Sequence, residues 1–227
     1  MLHRTDRKEL LDKPIRNKEL FESATIYLQT PNRWLGNHAL IAKYLKKFLS
    51  DKKSVSILDI GTGSADLPRY LIDWLNNRGI SSSITAVDNN PDVIEIAKNL
   101  SKGYPDISFI CSKMVPSCLT PYNIAILSQV LHHFDPSEAA EYLRAVYENV
   151  TDGIIISDLI RSRVAYWLVK LFVFSTTTNP FNRYDGPVSV LRCYNNNEIE
   201  QILAVANIKN FEIHNLFPRK IIIIRKT

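Results

Sequence analysis

Val55-Ser56-Ile57-Leu58-Asp59-Ile60-Gly61-Thr62-Gly63-Ser64-Ala65-Asp66 is the stretch that decides the fold. Its first six residues form a short apolar run, the pattern of a strand buried on both faces. Gly61 and Gly63 follow, where the backbone must turn. Leu67, Tyr70, Leu71, Trp74 and Leu75 then recur at helical spacing until Gly79. A strand, a glycine turn and an amphipathic helix, in that order, open a β-α-β unit. The whole chain has only seven glycines. Two of them in one turn therefore mark a place where the backbone bends tightly or meets a ligand closely.

The same alternation continues downstream. SITAVD (83–88) reads as a second strand. Asn90-Pro91 caps and opens a helix that runs through Leu100. ISFI (107–110) and YNIAILS (122–128) read as strands. Asp135-Pro136-Ser137-Glu138 has capping-box form and starts a helix to about Asn149. GIIISD (153–158) is a further strand. Strands separated by helical stretches imply crossover connections and a parallel sheet. A last helix (196–206) and strands near 209–214 and 220–225 finish the chain. Residues 17–50 read as two helices broken near Pro31, the second carrying Leu40, Ile41, Tyr44, Leu45 and Phe48. The expected organisation is an N-terminal helical cap over 1–53 and an α/β domain over 54–227. Within that domain, 160–195 breaks the pattern: it is apolar, then Thr-rich, then carries Asn179-Pro180 and Asp185-Gly186-Pro187. It reads as an inserted cap over the functional edge of the sheet.

The chain has 227 residues, 45% hydrophobic and 10% aromatic, enough to bury a real core and to exclude disorder as its main state. The formal charge is +5, but residues 1–53 hold 12 Lys or Arg against 6 Asp or Glu, while the rest of the chain is close to neutral. No basic stripe with interleaved aromatics runs through the body, so a nucleic-acid partner is not expected. The basic excess reads as a solvated helix face, with a lipid or membrane surface as the other reading. Cys111, Cys118 and Cys193 form no CxxC pair and no zinc spacing, which fits a reducing cytoplasm and predicts no metal. The first residues are too charged for a signal peptide. The run Val164–Phe174 is interrupted by Lys170 and falls short of the roughly 20 residues of a spanning helix.

In an open parallel sheet, ligands bind at the carboxyl ends of the strands. The glycine turn sits there, and so does Asp88, at the end of the second strand. An acidic side chain in that place accepts hydrogen bonds from ribose hydroxyls, which points to an adenosine-containing cofactor. Asp66 stands where the dinucleotide fingerprint has its third glycine, and Asp59 precedes the turn. Carboxylates there repel a pyrophosphate and suit a ligand with an ammonium and a sulfonium. The charge pattern favours S-adenosylmethionine over a nicotinamide dinucleotide.

DIGTGSAD, VDNNP, ILSQVLHHF and SDL, in this order, resemble the motifs of class I S-adenosylmethionine-dependent methyltransferases. RWLGNH (33–38), SDLIRSRVAYWL (157–168) and RYDGPVSVLRCY (183–194) are similar to small methyltransferases encoded beside type III polyketide synthases. The chain is also similar to the methyltransferases of ubiquinone and menaquinone biosynthesis. The resemblance implies a Rossmann-like, seven-stranded, mostly parallel sheet with N-terminal helices and an inserted cap. It implies cofactor contacts from Asp59, Gly61, Thr62, Gly63, Asp66, Asp88, Asn89, Ser112, Lys113, Ser128 and Gln129. It also implies that Trp34 and Asn37 close over the site. Ala65, Ser112 and Asn123 depart from the common pattern, with a small residue, an uncharged one and a neutral one where glycine or an acid is frequent.

Methyl transfer from a sulfonium needs an in-line nucleophile held in near-attack geometry. A phenolic nucleophile gains from a base. His132 and His133 follow the fourth strand, and one of them is the expected base; the alternative is that they orient the loop or pack on the cofactor. Asp158 either binds a substrate hydroxyl or pairs with Arg161 or Arg163. Trp34, Asp158, Arg161 and Tyr166 are the candidate acceptor contacts, with Trp167, Phe172 and Phe174 either lining the site or filling a core. The expected activity is transfer of a methyl group to a small aromatic, lipophilic acceptor, at oxygen. C-methylation of a quinone precursor and non-catalytic cofactor binding stand as alternatives.

Overall fold

The structure, a computed structural model, describes residues 3–12, 17–115 and 121–226. Seven strands form one sheet: β1 (Ser54–Ile60), β2 (Ser81–Asp88), β3 (Ile107–Cys111), β4 (Tyr122–Ser128), β5 (Val150–Leu159), β6 (Phe211–Leu216) and β7 (Arg219–Arg225). Their order is β3-β2-β1-β4-β5-β7-β6. The first five are parallel, and β7 enters antiparallel between β5 and β6. The order reverses between β1 and β4, which places the ligand crevice at the carboxyl ends of those two strands.

Helices cover both faces, and the strands alternate their side chains between them. Ile57, Ile84, Ile124, Ile126, Ile155, Ile221 and Ile223 pack with Leu71 and Leu75 of α4 (Asp66–Asn76) and with Ile41 and Leu45 of α3 (Asn37–Leu45). On the other face, Leu58, Ile60, Ala125, Leu127, Ile154, Ile156, Ile222 and Ile224 pack with Leu143 of α6 (Pro136–Glu148) and Ile202 of α9 (Asn196–Val205). Burial on both faces is why these strands read as continuous apolar runs. The helix α5 (Pro91–Leu100) starts at the Asn90 cap, with Pro91 at its first turn. Asp135 and Glu138 form the expected capping box of α6.

One local expectation is corrected. The N-terminal stretch forms three helices, not two: α1 (Lys18–Tyr27), α2 (Gln29–Trp34) and α3. Pro31 lies in the first turn of α2, where its missing N–H costs nothing, and the break falls at Gly36, with φ of 69°. Residues 160–195 form two long helices, α7 (Arg163–Thr176) and α8 (Pro180–Arg192). Asp185-Gly186-Pro187 lies within α8, with Pro187 inside the helix. Among the described residues no helix is long and apolar enough to cross a membrane. Cys118 lies outside the described residues.

Candidate functional site

The glycine turn between β1 and α4 holds three residues with positive φ: Gly61 at 66°, Gly63 at 54° and Ala65 at 57°. A β-carbon on Gly61 would stand 2.3 Å from Val130 Cγ2. On Gly63 it would meet nothing within 4 Å, so that side of the loop opens onto free space. The turn is tied to the end of β2. Thr62 N–H donates to Val87 O at 2.9 Å, and Gly63 N–H donates to Asp88 Oδ2 at 3.2 Å. Asp88 Oδ1 accepts from Asn90 N–H at 3.1 Å. The Asp88 carboxylate is thereby fixed in orientation, with lone pairs left for a ligand.

This loop floors one end of a cavity of about 1230 Å³. Asp59, Gly61, Thr62, Gly63, Asp66, Asp88, Asn89, Ser112, Lys113, Ser128, Gln129, His132 and His133 all line it. Burial pushes the Asp59 carboxyl up to about 7. Burial also raises Asp88. Burial works the same way on Asp66, but the His38 imidazole beside it, 2.9 Å from Oδ2, and the Asn32 amide more than offset it and hold Asp66 below the usual carboxylate range. The buried Thr62 hydroxyl makes no hydrogen bond within the protein. Acidic walls, an open glycine backbone and an orphaned hydroxyl fit a ligand with cationic and hydrogen-bonding parts.

Two asparagines bring the N-terminal helices onto this end. Asn32 in α2 donates to Asp66 and accepts from the Gln129 amide. Asn37, fully buried at the start of α3, donates to Ser128 Oγ at 2.9 Å and accepts from Ser157 Oγ at 2.7 Å. It bridges the carboxyl ends of β4 and β5.

Another part of the cavity wall is built by a segment whose role the sequence did not reveal. Residues 4–12 run as a strap along α8 and the loop after β4. Arg4 donates to the carbonyls of His132 and Phe134. Asp185 accepts from the N–H groups of Leu10 at 2.6 Å and Leu11 at 3.0 Å. Arg192 donates to the carbonyls of His132, His133 and Arg7. The strap carries Glu9 and Asp12 to the histidines. His132 is buried with Nδ1 2.9 Å from Asp158 Oδ1 and Nε2 3.3 Å from Glu9 Oε1. His133 is partly exposed, with Nδ1 3.1 Å from Asp12 Oδ2. Desolvation would lower His132, but the Asp158 charge outweighs it and holds the imidazole well above its ordinary value. In Asp158 the same pairing outweighs burial and keeps the carboxyl low. The only trace of the strap in the sequence is Arg7-Lys8-Glu9-Leu10-Leu11-Asp12, two leucines inside a charged run.

Four candidate acceptor contacts stand elsewhere. Trp34 is 74% exposed on the outside of α2 and does not line the cavity. Asp158 lies beneath His132 and faces neither Arg161 nor Arg163; the imidazole is its partner. Arg161 is committed to Cys193 O and to Glu198 Oε1, each within 2.9 Å. Tyr166 packs edge-on against Trp167 beside a separate shallow depression. Of the aromatic residues of α7, Phe172 lines the cavity, together with Leu168, Val169 and Val173. Phe174 is exposed under the Arg183 guanidinium.

Residues 57–153 match the family model described as a methyltransferase domain. No curated protein sequence matches the chain. Solved structures of similar fold include a candidate O-methyltransferase from Nostoc punctiforme PCC 73102, with a TM-score of 0.66 and 17% identity over 99% of this chain and 64% of that one. The plantazolicin methyltransferase BpumL, solved with SAH, has a TM-score of 0.70 and 15% identity over 96% of this chain and 93% of that one. Human N-acetylserotonin methyltransferase, solved with SAM, has a TM-score of 0.66 and 19% identity over 93% of this chain and 57% of that one. The chain thus spans less than two thirds of the length of the Nostoc and human proteins. The core of the chain thus carries the pattern of a methyltransferase domain, and the acid-walled glycine turn lies within the matched residues.

Proposed function

We propose that the chain methylates an oxygen atom of a small aromatic, lipophilic acceptor. The observation that carries this reading is the mixed lining of the cavity. Beside the carboxylates and open glycine backbone already described, it is lined by Leu28, Leu168, Phe172 and Val173 and by Glu9 and His133. An apolar body with a single polar head fits such a lining: the rings bury against aliphatic and aromatic side chains, and a hydroxyl meets the polar groups. The O-methyltransferase named among the structures of similar fold supports oxygen as the target.

In this reading Asp88 holds the ribose hydroxyls, and Asp59 and Asp66 face the cationic amino-acid end. S-adenosylmethionine, when bound, supplies an electrophilic methyl group on a sulfonium. The chain's own residues orient the acceptor, exclude water and place its oxygen at the polar end. The outer face of α7 exposes Val164, Trp167, Leu171 and Phe174 near Lys170 and Arg163, a surface suited to an acceptor delivered from a lipid phase.

Incubation of the protein with methyl-labelled S-adenosylmethionine and a panel of alkyl phenols and quinols tests the reading. The expected product carries a new methoxy group, read by NMR. Products methylated at ring carbon, or turnover of water-soluble acceptors alone, would replace it.

A further inference from the structure

Two imidazoles and a carboxylate converge at the polar end of the cavity. His132 Nε2 is 3.3 Å from Glu9 Oε1, and His133 Nε2 is 4.0 Å from Glu9 Oε2. All three ligand atoms lie within 4.8 Å of one another. Donors about 2.1 Å from a tetrahedral metal ion stand roughly 3.4 Å apart, so the His132–Glu9 pair already matches and the wider separations close by up to about 1.4 Å through side-chain rotation. The far nitrogen of each ring is already held by a carboxylate, Asp158 for His132 and Asp12 for His133. That is the outer-shell arrangement that fixes a ligating histidine with its Nε2 lone pair turned toward a metal.

A separate observation concerns what lies between His132 and Glu9. His132 Nε2 is buried and makes no hydrogen bond, although the Glu9 oxygen is within hydrogen-bonding distance. The two atoms are close but not aligned. A shared proton needs a near-linear N–H···O line, whereas a metal ion between the atoms does not. Buried polar atoms left without a partner are rare enough to point to a missing ion or water.

We infer that Glu9, His132 and His133 bind a divalent transition metal of the zinc type, with one coordination position open to the cavity. Two nitrogens and one carboxylate oxygen are donors that suit zinc in an open site. The strap is held at both ends of its path, by Arg4 on the loop carbonyls and by Asp185 on Leu10 and Leu11, so Glu9 is placed before any metal arrives. The open position takes an anionic oxygen, and its assignment to the acceptor rests on the methyl-transfer reading above. The metal site itself does not.

The test uses the whole chain, stripped with a chelator and titrated with Zn²⁺ alone by calorimetry, and with Co²⁺ followed by its visible d–d bands. One equivalent per chain, micromolar or tighter, with a four-coordinate Co²⁺ spectrum is the expected result. Glu9→Gln and His133→Gln should each weaken Zn²⁺ at least 100-fold while S-adenosylhomocysteine still binds within twofold, which certifies the fold. Absence of stoichiometric binding, or binding that both variants leave unchanged, overturns the inference. A protein that binds Zn²⁺ at this site yet methylates no phenol keeps the site and loses the proposed acceptor. A protein that methylates phenols with no bound metal, and loses turnover in His133→Gln, makes His133 a general base instead.

Discussion

Gly61 and Val130 are in such close contact that no β-carbon fits between them: it would lie 2.3 Å from Val130 Cγ2. Gly61→Ala must therefore push the turn away from the loop after β4, besides forcing alanine to a φ of 66°. We expect a loss of about 2–4 kcal/mol of stability and at least tenfold weaker S-adenosylhomocysteine binding. The double variant Gly61→Ala/Val130→Ala should recover part of the stability, since it removes the clash and leaves only the backbone strain. Thermal unfolding and calorimetric titration of both proteins measure this. Equal stability of the single and double variants would show that the contact does not constrain the turn.

Asp88 accepts from Gly63 and Asn90 N–H and has lone pairs left for a ligand. Asp88→Ala should weaken S-adenosylhomocysteine by 30-fold or more, because it removes both the ligand contacts and the anchor of the turn. Asp88→Asn keeps a carbonyl oxygen as acceptor and should fall between alanine and wild type. If the alanine variant binds within twofold of wild type, Asp88 is not the ribose partner.

Asp59 gives a pH dependence with a definite sign. Its carboxyl releases a proton at about 7 in the fold, against 3.8 as the ordinary value. Between those values the native state holds a proton that the unfolded chain has released. Stability from this group is therefore full below about pH 4, falls as pH rises and is gone above about 7. Asp59→Asn should flatten the fall and leave the protein about 1–3 kcal/mol more stable than wild type at pH 8. A cationic ligand favours the ionised form, so wild-type affinity for S-adenosylmethionine should rise with pH and level off above about 7. An affinity independent of pH from 5.5 to 8 would remove Asp59 from the cationic end of the site.

Asn37 joins three elements through one amide. Its replacement by alanine leaves the hydroxyls of Ser128 and Ser157 short of a partner in a buried place. The expected cost is about 1–3 kcal/mol, a fall of roughly 2–4 °C in melting temperature per kcal/mol for a chain of this size. Trp34→Ala serves as the contrast. Its exposed side chain touches none of the cavity, and both stability and S-adenosylhomocysteine binding should stay near wild type.

The sheet was legible in the sequence because strands buried on both faces must be apolar throughout, and the five parallel strands and their crossover helices follow from that rule. Pro31 misled for a local reason: a proline in the first turn of a helix costs no hydrogen bond. The residues around the glycine turn could be grouped from the sequence because they follow strand ends. Glu9 was not, because it meets His132 across 123 positions of sequence and no periodicity encodes a contact of that range. Asp158 was placed at the right strand end, yet its partner is His132, a neighbour in space from the turn after β4, and not the arginines next to it in sequence.

The strap over α8 also bears on the order in which the molecule is completed. Apart from Asn32 of α2, the residues around the glycine turn lie between Asp59 and Gln129, within one run of consecutive elements. The polar end draws on Glu9 and Asp12 but locks them with Asp185, Ser189 and Arg192. During synthesis the strap emerges long before α8 exists to receive it, so Glu9 and Asp12 are fixed beside the histidines only once α8 is made. A chain halted before α8 would carry both carboxylates with nothing to hold them in place.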